Sequence, residues 1–366
     1  MKRILHIGMS DNLGGIEIFL INFYRKINKK KIQFDFINMY DGKLCFEEEI
    51  IKMGGKIYKI PNEKKNPLGF EQELKSIIQK NKYEVVHVHK NSLAFISVFK
   101  ILKKMKVKKI IAHSHNTQSS KPNFIINVLH KLNKPFLSKY ANYFCACSKE
   151  AGEWMFSKNI LESNKFTIVN NAIEIDRFIF NQNVRNEIRK EFSIDDETFL
   201  VGHVGRFTPQ KNHLFLIDFF YEFTKLKENC KLMLVGQGAT MELVKEKVKK
   251  LKLEDKVIFV GERIDANRFY QAFDLFVFPS IYEGLGIVLI EAEVSGLPCL
   301  VSTEVPKLTK IIDDIDYISL EAPIHKWVDS ANNILEKFER KNIYNLISNK
   351  GFNIEMEVKK LEKIYE

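Results

Sequence analysis

Phe199-Leu-Val-Gly-His-Val204 is an apolar run that stops at Gly205, passes into the loop Arg206-Phe-Thr-Pro-Gln-Lys211-Asn212 and gives way to a helical stretch. It follows the polar, charged segment 181–197 (NQNVRNEIRKEFSIDDE), so it restarts a rhythm that had lapsed. The same unit stands early in the chain, where Ile4-Leu-His-Ile7 ends at Gly8 and a helical stretch runs from Ile16 to Lys26. Short apolar runs ending in small or polar residues, each followed by a helical stretch, are the signature of parallel strands with crossover helices, because a parallel neighbour is reached only by a long return across the sheet. Strands are expected at 4–7, 33–39, 56–60, 84–89, 108–113, 142–147 and 166–169, and after the break at 199–204, 231–235, 257–260, 274–278 and 298–302. The fold class is therefore α/β, with two doubly wound, Rossmann-like domains at 1–180 and 181–350. In the last stretch Ile354, Val358, Leu361 and Ile364 share one helical stripe.

Composition agrees. A length of 366 residues suits two domains, and 45% hydrophobic, 12% aromatic and 28% charged residues are the proportions of a globular chain rather than a disordered or collagen-like one. No apolar run approaches the ~18 residues that span a bilayer. MKRILHIGMSD reaches Gly8 and Asp11 before an export signal can develop, so a cytoplasmic location is expected. Five cysteines without a CxxC pair argue for reduced thiols rather than a zinc ribbon or disulfide framework. The net charge of +11 is unevenly spread: residues 1–180 hold 31 Lys and Arg against 16 Asp and Glu, leaving an acidic remainder. A basic half points to an anionic partner.

The most specific segment is Phe278-Pro-Ser-Ile-Tyr-Glu283-Gly-Leu-Gly286-Ile287-Val-Leu-Ile-Glu291-Ala292. A strand ends at Pro279, a loop carries Glu283, and a helix starting near Gly286 puts Glu291 about a turn and a half inside. Both carboxylates can then face the crevice at the carboxyl end of the sheet, where open α/β folds bind ligands. The first-turn N–H groups near Gly286 and Ile287 lack intrahelical partners and suit an anion. Arg206 and Lys211, five apart on a loop after a strand, can converge on a diphosphate, one as a planar fork and the other as a point charge. Asn12-Leu-Gly14-Gly15 also follows a strand and opens a helix, a place where glycine lets backbone approach a phosphate. His113 and His115 share parity at a strand end and so point the same way. His87 and His89 end the strand before them. Two other nucleotide signatures fail: Gly236-Gln-Gly238 carries Met241 where a dinucleotide site needs its third glycine, and no P-loop is present. Asp314-Ile-Asp316 is the one DxD and lies far from these loops in sequence.

On the Glu283-x7-Glu291 signature, with the Arg206/Lys211 loop and the Gly14-Gly15 loop, the sequence resembles the retaining nucleotide-sugar glycosyltransferases of family 4, which include bacterial capsule, exopolysaccharide and lipopolysaccharide transferases. Leu285 stands where phenylalanine is commonest in that family, and Ala172 in Asn171-Ala-Ile-Glu174 replaces a glycine. The resemblance implies a GT-B architecture, two Rossmann-like domains facing a cleft, with 351–366 packing back on the first. It assigns Glu283 to the donor sugar, Glu291 to the ribose hydroxyls, Arg206 and Lys211 to the leaving diphosphate, Gly14, Gly15, Gly286 and Ile287 to donor binding, and one of His113 and His115 to the transferred sugar. The implied donor is a nucleoside-diphosphate sugar, usually of uridine. The implied acceptor is a saccharide linked to polyprenyl diphosphate, met at the inner face of the cell membrane. No metal and no cofactor are expected. Two segments of the basic half, 95–109 and 121–139, mix apolar and cationic residues and could meet an anionic membrane surface. The alternatives are a UDP-sugar 2-epimerase of the same fold and, more remotely, a nucleic-acid-binding protein. The latter lacks any helix-turn-helix or aromatic single-strand cue, so no nucleic-acid partner is expected.

Overall fold

A computed structural model describes residues 1–116, 124–283, 285–313, 315–337, 340, 346–347 and 350–366. The chain forms two compact units, 1–173 with 351–366, and 174–350. In the first, strands β1 (Lys2–Ile7), β2 (Ile32–Asn38), β3 (Ile57–Lys59), β4 (Val85–Lys90), β5 (Lys109–Ser114), β6 (Tyr143–Ala146) and β7 (Phe166–Ile168) form one sheet. Its order is β3-β2-β1-β4-β5-β6-β7, and every pairing is parallel. In the second, β8 (Phe199–Val204), β9 (Cys230–Val235), β10 (Val257–Gly261), β11 (Leu275–Phe278), β12 (Cys299–Ser302) and β13 (Ile315–Ile318) pair in the order β10-β9-β8-β11-β12-β13, again all parallel. Each sheet reverses its winding once, between β1 and β4 and between β8 and β11. Loops leaving those strands diverge there, which opens the crevice that doubly wound folds use for ligands.

Helices cover both faces, so central strands are buried on both sides and read as continuous apolar runs. Every residue of β2 is buried. Helix Ile354–Tyr365 returns to the first unit and packs Ile354, Val358, Leu361 and Tyr365 among Phe19, Phe23, Phe34 and Phe36. Its entry is a bridge between Ile173 and Asn353, with Ile173 N–H donating to Phe352 O at 3.0 Å. The core of the second unit gathers Phe219, Phe220, Leu232, Val277 and Trp327.

Three details differ from the sequence reading. The units divide after Ile173 rather than at 180, because Phe178 is tied into the second unit: its carbonyl accepts from Gln271 Nε2 at 2.9 Å and Ser295 Oγ at 2.8 Å, and its ring centroid lies 5.9 Å from that of Tyr270. The polar stretch 181–197 is not a bare connection. It contains helix Gln182–Glu191, anchored by wholly enclosed Arg189, which donates to Ala272 O at 3.1 Å and Asp195 O at 2.6 Å. Strand β13 lies in a stretch read only as acidic. There Asp316 accepts a hydrogen bond from Ser330, while Asp314 lies outside the described residues.

Candidate functional site

In the second unit the loop after β8 is laced to the loop after β9. Gly205 N–H donates to Val235 O and Phe207 N–H to Gln237 O, both at 2.9 Å. The approach demands glycine on the far side: a Cβ at Gly236 would sit 2.1 Å from Gly205 O, and one at Gly238 2.3 Å from Phe207 O. The Gly236-Gln-Gly238 pair is thus a backbone rest for the Arg206 loop. Arg206 itself is exposed, and among the described residues it makes no ion pair.

Lys211 and Glu283 meet across the switch point. Their Nζ and Oε1 lie 2.7 Å apart, with side chains 16% and 8% exposed, and Nζ also stands 4.8 Å from the Phe278 ring centroid. The two loops are held in register by Ile281 N–H to Gln210 O at 2.8 Å and Gln210 Nε2 to Tyr282 O at 2.9 Å. A pair so enclosed owes its place to both partners, since removing one strands the other charge out of water.

Gly286 begins helix Ile287–Val294 with φ +78°, a left-handed turn that glycine adopts without strain, and no side chain caps this end. Leu289 N–H closes back on Gly286 O at 2.9 Å, while the Ile287 N–H at the helix start has no hydrogen-bond partner among the described residues and faces the end that favours an anion. One turn on, Glu291 accepts from Tyr270 O–H at 2.7 Å. The residue keeps some open surface, yet desolvation of its carboxyl pushes it up to about 7, against the Tyr270 hydrogen bond and the positive charges of Arg177 and Lys211. Lys211 thus acts on both glutamates, by contact with Glu283 and through space with Glu291.

In the first unit Gly14 caps helix Gly15–Lys26 with extended backbone and no side-chain cap. Glu17 ties the preceding loop, accepting from Ser10 N–H at 2.8 Å and Ser10 Oγ at 2.9 Å. A Cβ at Gly15 would meet nothing within 4 Å, so packing inside the chain does not require glycine there. His113 near the end of β5 and His115 just beyond it stack with ring centroids 4.1 Å apart, in keeping with their shared parity. His113 is buried and His115 partly open. His87 and His89 are as buried as His113, so of these four rings only His115 presents open surface to a ligand. Burial lowers all of these histidines, His115 to about 3.

The structure therefore brings Lys211, Glu283 and Glu291 together in one unit, and His113 and His115 in the other with His6, His87 and His89. The sequence reading missed Tyr270, Gln210, His6 and Tyr365. Only His6 left a trace, as a polar residue inside an apolar strand. All five cysteines are free thiols. Among the described residues no helix is long and apolar enough to cross a membrane.

Comparison with known proteins completes the assignment. The model of Glycosyltransferase Family 4 matches residues 13–177, and that of Glycosyl transferases group 1 matches 184–347. A relative carrying the name glycosyltransferase EpsF, from Bacillus subtilis (strain 168), is 31% identical over 338 residues, 90% of this chain and 86% of its own length. A UDP-Gal:alpha-D-GlcNAc-diphosphoundecaprenol alpha-1,3-galactosyltransferase of Escherichia coli is 22% identical over 99% of this chain and 96% of its own. Among solved structures, Anabaena HepE in complex with UDP superposes with a TM-score of 0.78 at 17% identity, covering 99% of both chains. With two parallel Rossmann-like units, both family models and a relative spanning most of its length, the chain belongs to glycosyltransferase family 4 and is a glycosyltransferase of the GT-B fold.

Proposed function

We propose that the enzyme moves a hexose or N-acetylhexosamine from a UDP-sugar to a saccharide carried on polyprenyl diphosphate, with retention of anomeric configuration, in cell-surface polysaccharide synthesis. The observation that carries this reading is the Lys211–Glu283 pair beside Glu291 at the switch point of the second unit, with Arg206 exposed on the same loop as Lys211. Arg206, Lys211 and the first-turn N–H groups of helix Ile287–Val294 supply positive potential for a leaving diphosphate. Glu283 accepts from sugar hydroxyls and Glu291 from ribose hydroxyls. Catalysis is then positioning and charge stabilisation, with no protein nucleophile: the acceptor oxygen attacks the face the diphosphate leaves, and the diphosphate takes its proton. With this charge held by side chains, turnover proceeds without a divalent ion. A relative acting on UDP-galactose and a diphosphoundecaprenol-linked sugar, and a fold neighbour bound to UDP-glucose, support the choice of donor and acceptor class.

The acceptor's lipid also gives a role to an unusual helix. Helix Phe124–Asn133 turns Phe124 (83% exposed), Ile125 (65%) and Leu132 (61%) outward, with Phe136 following, and of its ten residues only His130 is buried. Its neighbour in the sequence reading, helix Ser97–Lys104, does the opposite and buries Val98, Phe99, Ile101 and Leu102. The first helix, in a half with excess positive charge, suits peripheral docking on an anionic membrane at the cytoplasmic face.

The test is thermal stabilisation by a panel of UDP- and GDP-sugars, since a ligand that binds only the folded state raises the melting temperature. Transfer to a synthetic lipid-linked acceptor then follows, with the anomer read by NMR and EDTA present. A UDP-sugar should stabilise the protein and the donor's configuration should persist. An epimerised sugar formed without acceptor would replace this reading with the 2-epimerase one.

A further inference from the structure

His6 on β1, His87 and His89 on β4, and His113 and His115 beyond or on β5 form two hydrogen-bonded files inside the first unit. In one, the Tyr365 hydroxyl meets His87 Nδ1 at 2.7 Å and His87 Nε2 meets His113 Nδ1 at 3.1 Å. In the other, His6 Nδ1 meets His89 Nε2 at 3.0 Å and His89 Nδ1 meets His115 Nε2 at 2.8 Å. Among the described residues, the ring nitrogens of these files without a partner are His113 Nε2, His6 Nε2 and His115 Nδ1, the ends of the two files.

A neutral imidazole has one N–H and one lone pair, so each file runs in a single direction and the whole row is set by whatever closes it. Burial keeps these rings neutral. The second file closes on an imidazole, which serves either direction. The first closes on a hydroxyl. Tyr365 is fully buried, and among the described residues its O–H finds only His87. Run one way, Tyr365 O–H donates to His87 Nδ1, His87 Nε2–H donates to His113 Nδ1, and His113 carries its proton on Nε2. Run the other way, the tyrosine proton is left in the core with no hydrogen-bond acceptor among the described residues, which a buried hydroxyl resists.

We propose that Tyr365, from a helix 278 residues along the chain from His87, is a positioning residue that locks His87 and His113 in their Nε2–H tautomers, so that the free end of the first file is always a donor. Its meaning for catalysis rests on the transferase reading above: His113 offers no lone pair, and any hydrogen bond accepted by an imidazole at this loop falls to His115, stacked on it. The helix is fastened for the task. Lys2 Nζ donates to Tyr365 O at 2.7 Å and Lys109 Nζ to Ile364 O at 2.6 Å. The same clusters, including His89, His113 and His115, bring one ligand atom from each residue within 4.8 Å of the others, close enough for a shared cation, but a proton fixed on His113 Nε2 denies that nitrogen to a metal.

Long-range 1H–15N correlation on the full-length protein with 15N-labelled histidine reads the tautomers without substrate. His87 and His113 should show a bare Nδ1 and a protonated Nε2. Tyr365→Phe, which keeps the ring and removes the hydroxyl, should move both toward an even mixture and lower kcat roughly tenfold with the donor KM unchanged, the scale seen when a ligand's orienting partner is lost. Leu361→Ala, which loosens the same helix without touching the hydroxyl, should lower the melting temperature and leave the tautomers alone. A proton on His113 Nδ1 in the wild type overturns the proposal, as does an unchanged spectrum in Tyr365→Phe, or stoichiometric Zn²⁺ uptake that erases the His113 Nε2–H signal. If Tyr365→Phe does not fold, the wild-type spectrum still decides. If the donor panel fails while the tautomers hold, only the catalytic meaning is lost.

Discussion

At the reversal of the second sheet, the loops after β8 and β11 carry Lys211 and Glu283, and the helix that follows carries Glu291. At the reversal of the first, β1, β4 and β5 carry histidines driven neutral by burial. The backbone plan is the same in both. The difference shows that the doubly wound sheet supplies only a place, and that local burial then decides what chemistry the place holds. Glu283 remains useful because Lys211 pairs with it. The histidines, with no counter-charge, persist by bonding one another.

The sharpest way to break this contrast is to neutralise the charged side. Glu283→Gln and Glu291→Ala should each cut transfer at least ~100-fold, the scale of one well-placed polar contact in a transition state. Activity within a fewfold of wild type would remove both glutamates from the site. Next come the cations. Arg206→Ala and Lys211→Ala should each weaken binding of UDP more than of uridine, by about 1.5–3 kcal/mol for a charged hydrogen bond, read by calorimetry. Only Lys211→Ala should also lower the melting temperature, because it leaves Glu283 enclosed and unpaired while Arg206 is exposed.

A smaller effect separates the two glutamates. The Glu291 carboxyl is raised from 4.5 to about 7, so between those values the folded state holds a proton that the unfolded chain has released. Stability must therefore fall as pH rises through that window. Glu291→Gln keeps an acceptor for Tyr270 and removes the titration. Its stability relative to wild type should grow from pH 5 to pH 8 by on the order of 1–2 kcal/mol, the linkage value discounted for the part of the residue that stays open. A constant difference across that range would show that Glu291 is not held protonated by burial.

The smallest effect on the fold belongs to the basic unit. Phe124→Asp with Ile125→Asp should leave the unfolding free energy within ~0.5 kcal/mol of wild type, as expected of exposed positions. The pair should sharply reduce co-sedimentation with anionic liposomes, and wild-type binding should fade with salt. Lys109 is a poor target for this test, since its Nζ holds Ile364 O and stands 4.7 Å from the Tyr143 ring centroid. Indifference to anionic liposomes at low salt would leave the exposed helix without the membrane role.

What could be read directly was local. Strand, loop and helix start lie within a dozen residues of one another in the Glu283 segment, so spacing alone put Glu283 before Gly286 and Glu291 inside the helix, and the strand-helix rhythm needed nothing distant. What tertiary structure decided depended on residues far apart in the chain. Tyr270 reaches Glu291 from another helix, and Tyr365 reaches His87 across most of the sequence, with no spacing rule to announce either. Strand β13 hid because its Asp316 faces Ser330 on helix Ile324–Lys337, a partner invisible in the run Ile-Asp-Tyr-Ile. The two apolar, basic helices carry the same kind of pattern, since periodicity records that a helix has an apolar face and says nothing of what covers it. Only the packed fold shows that Phe99 has a core to enter and Phe124 does not.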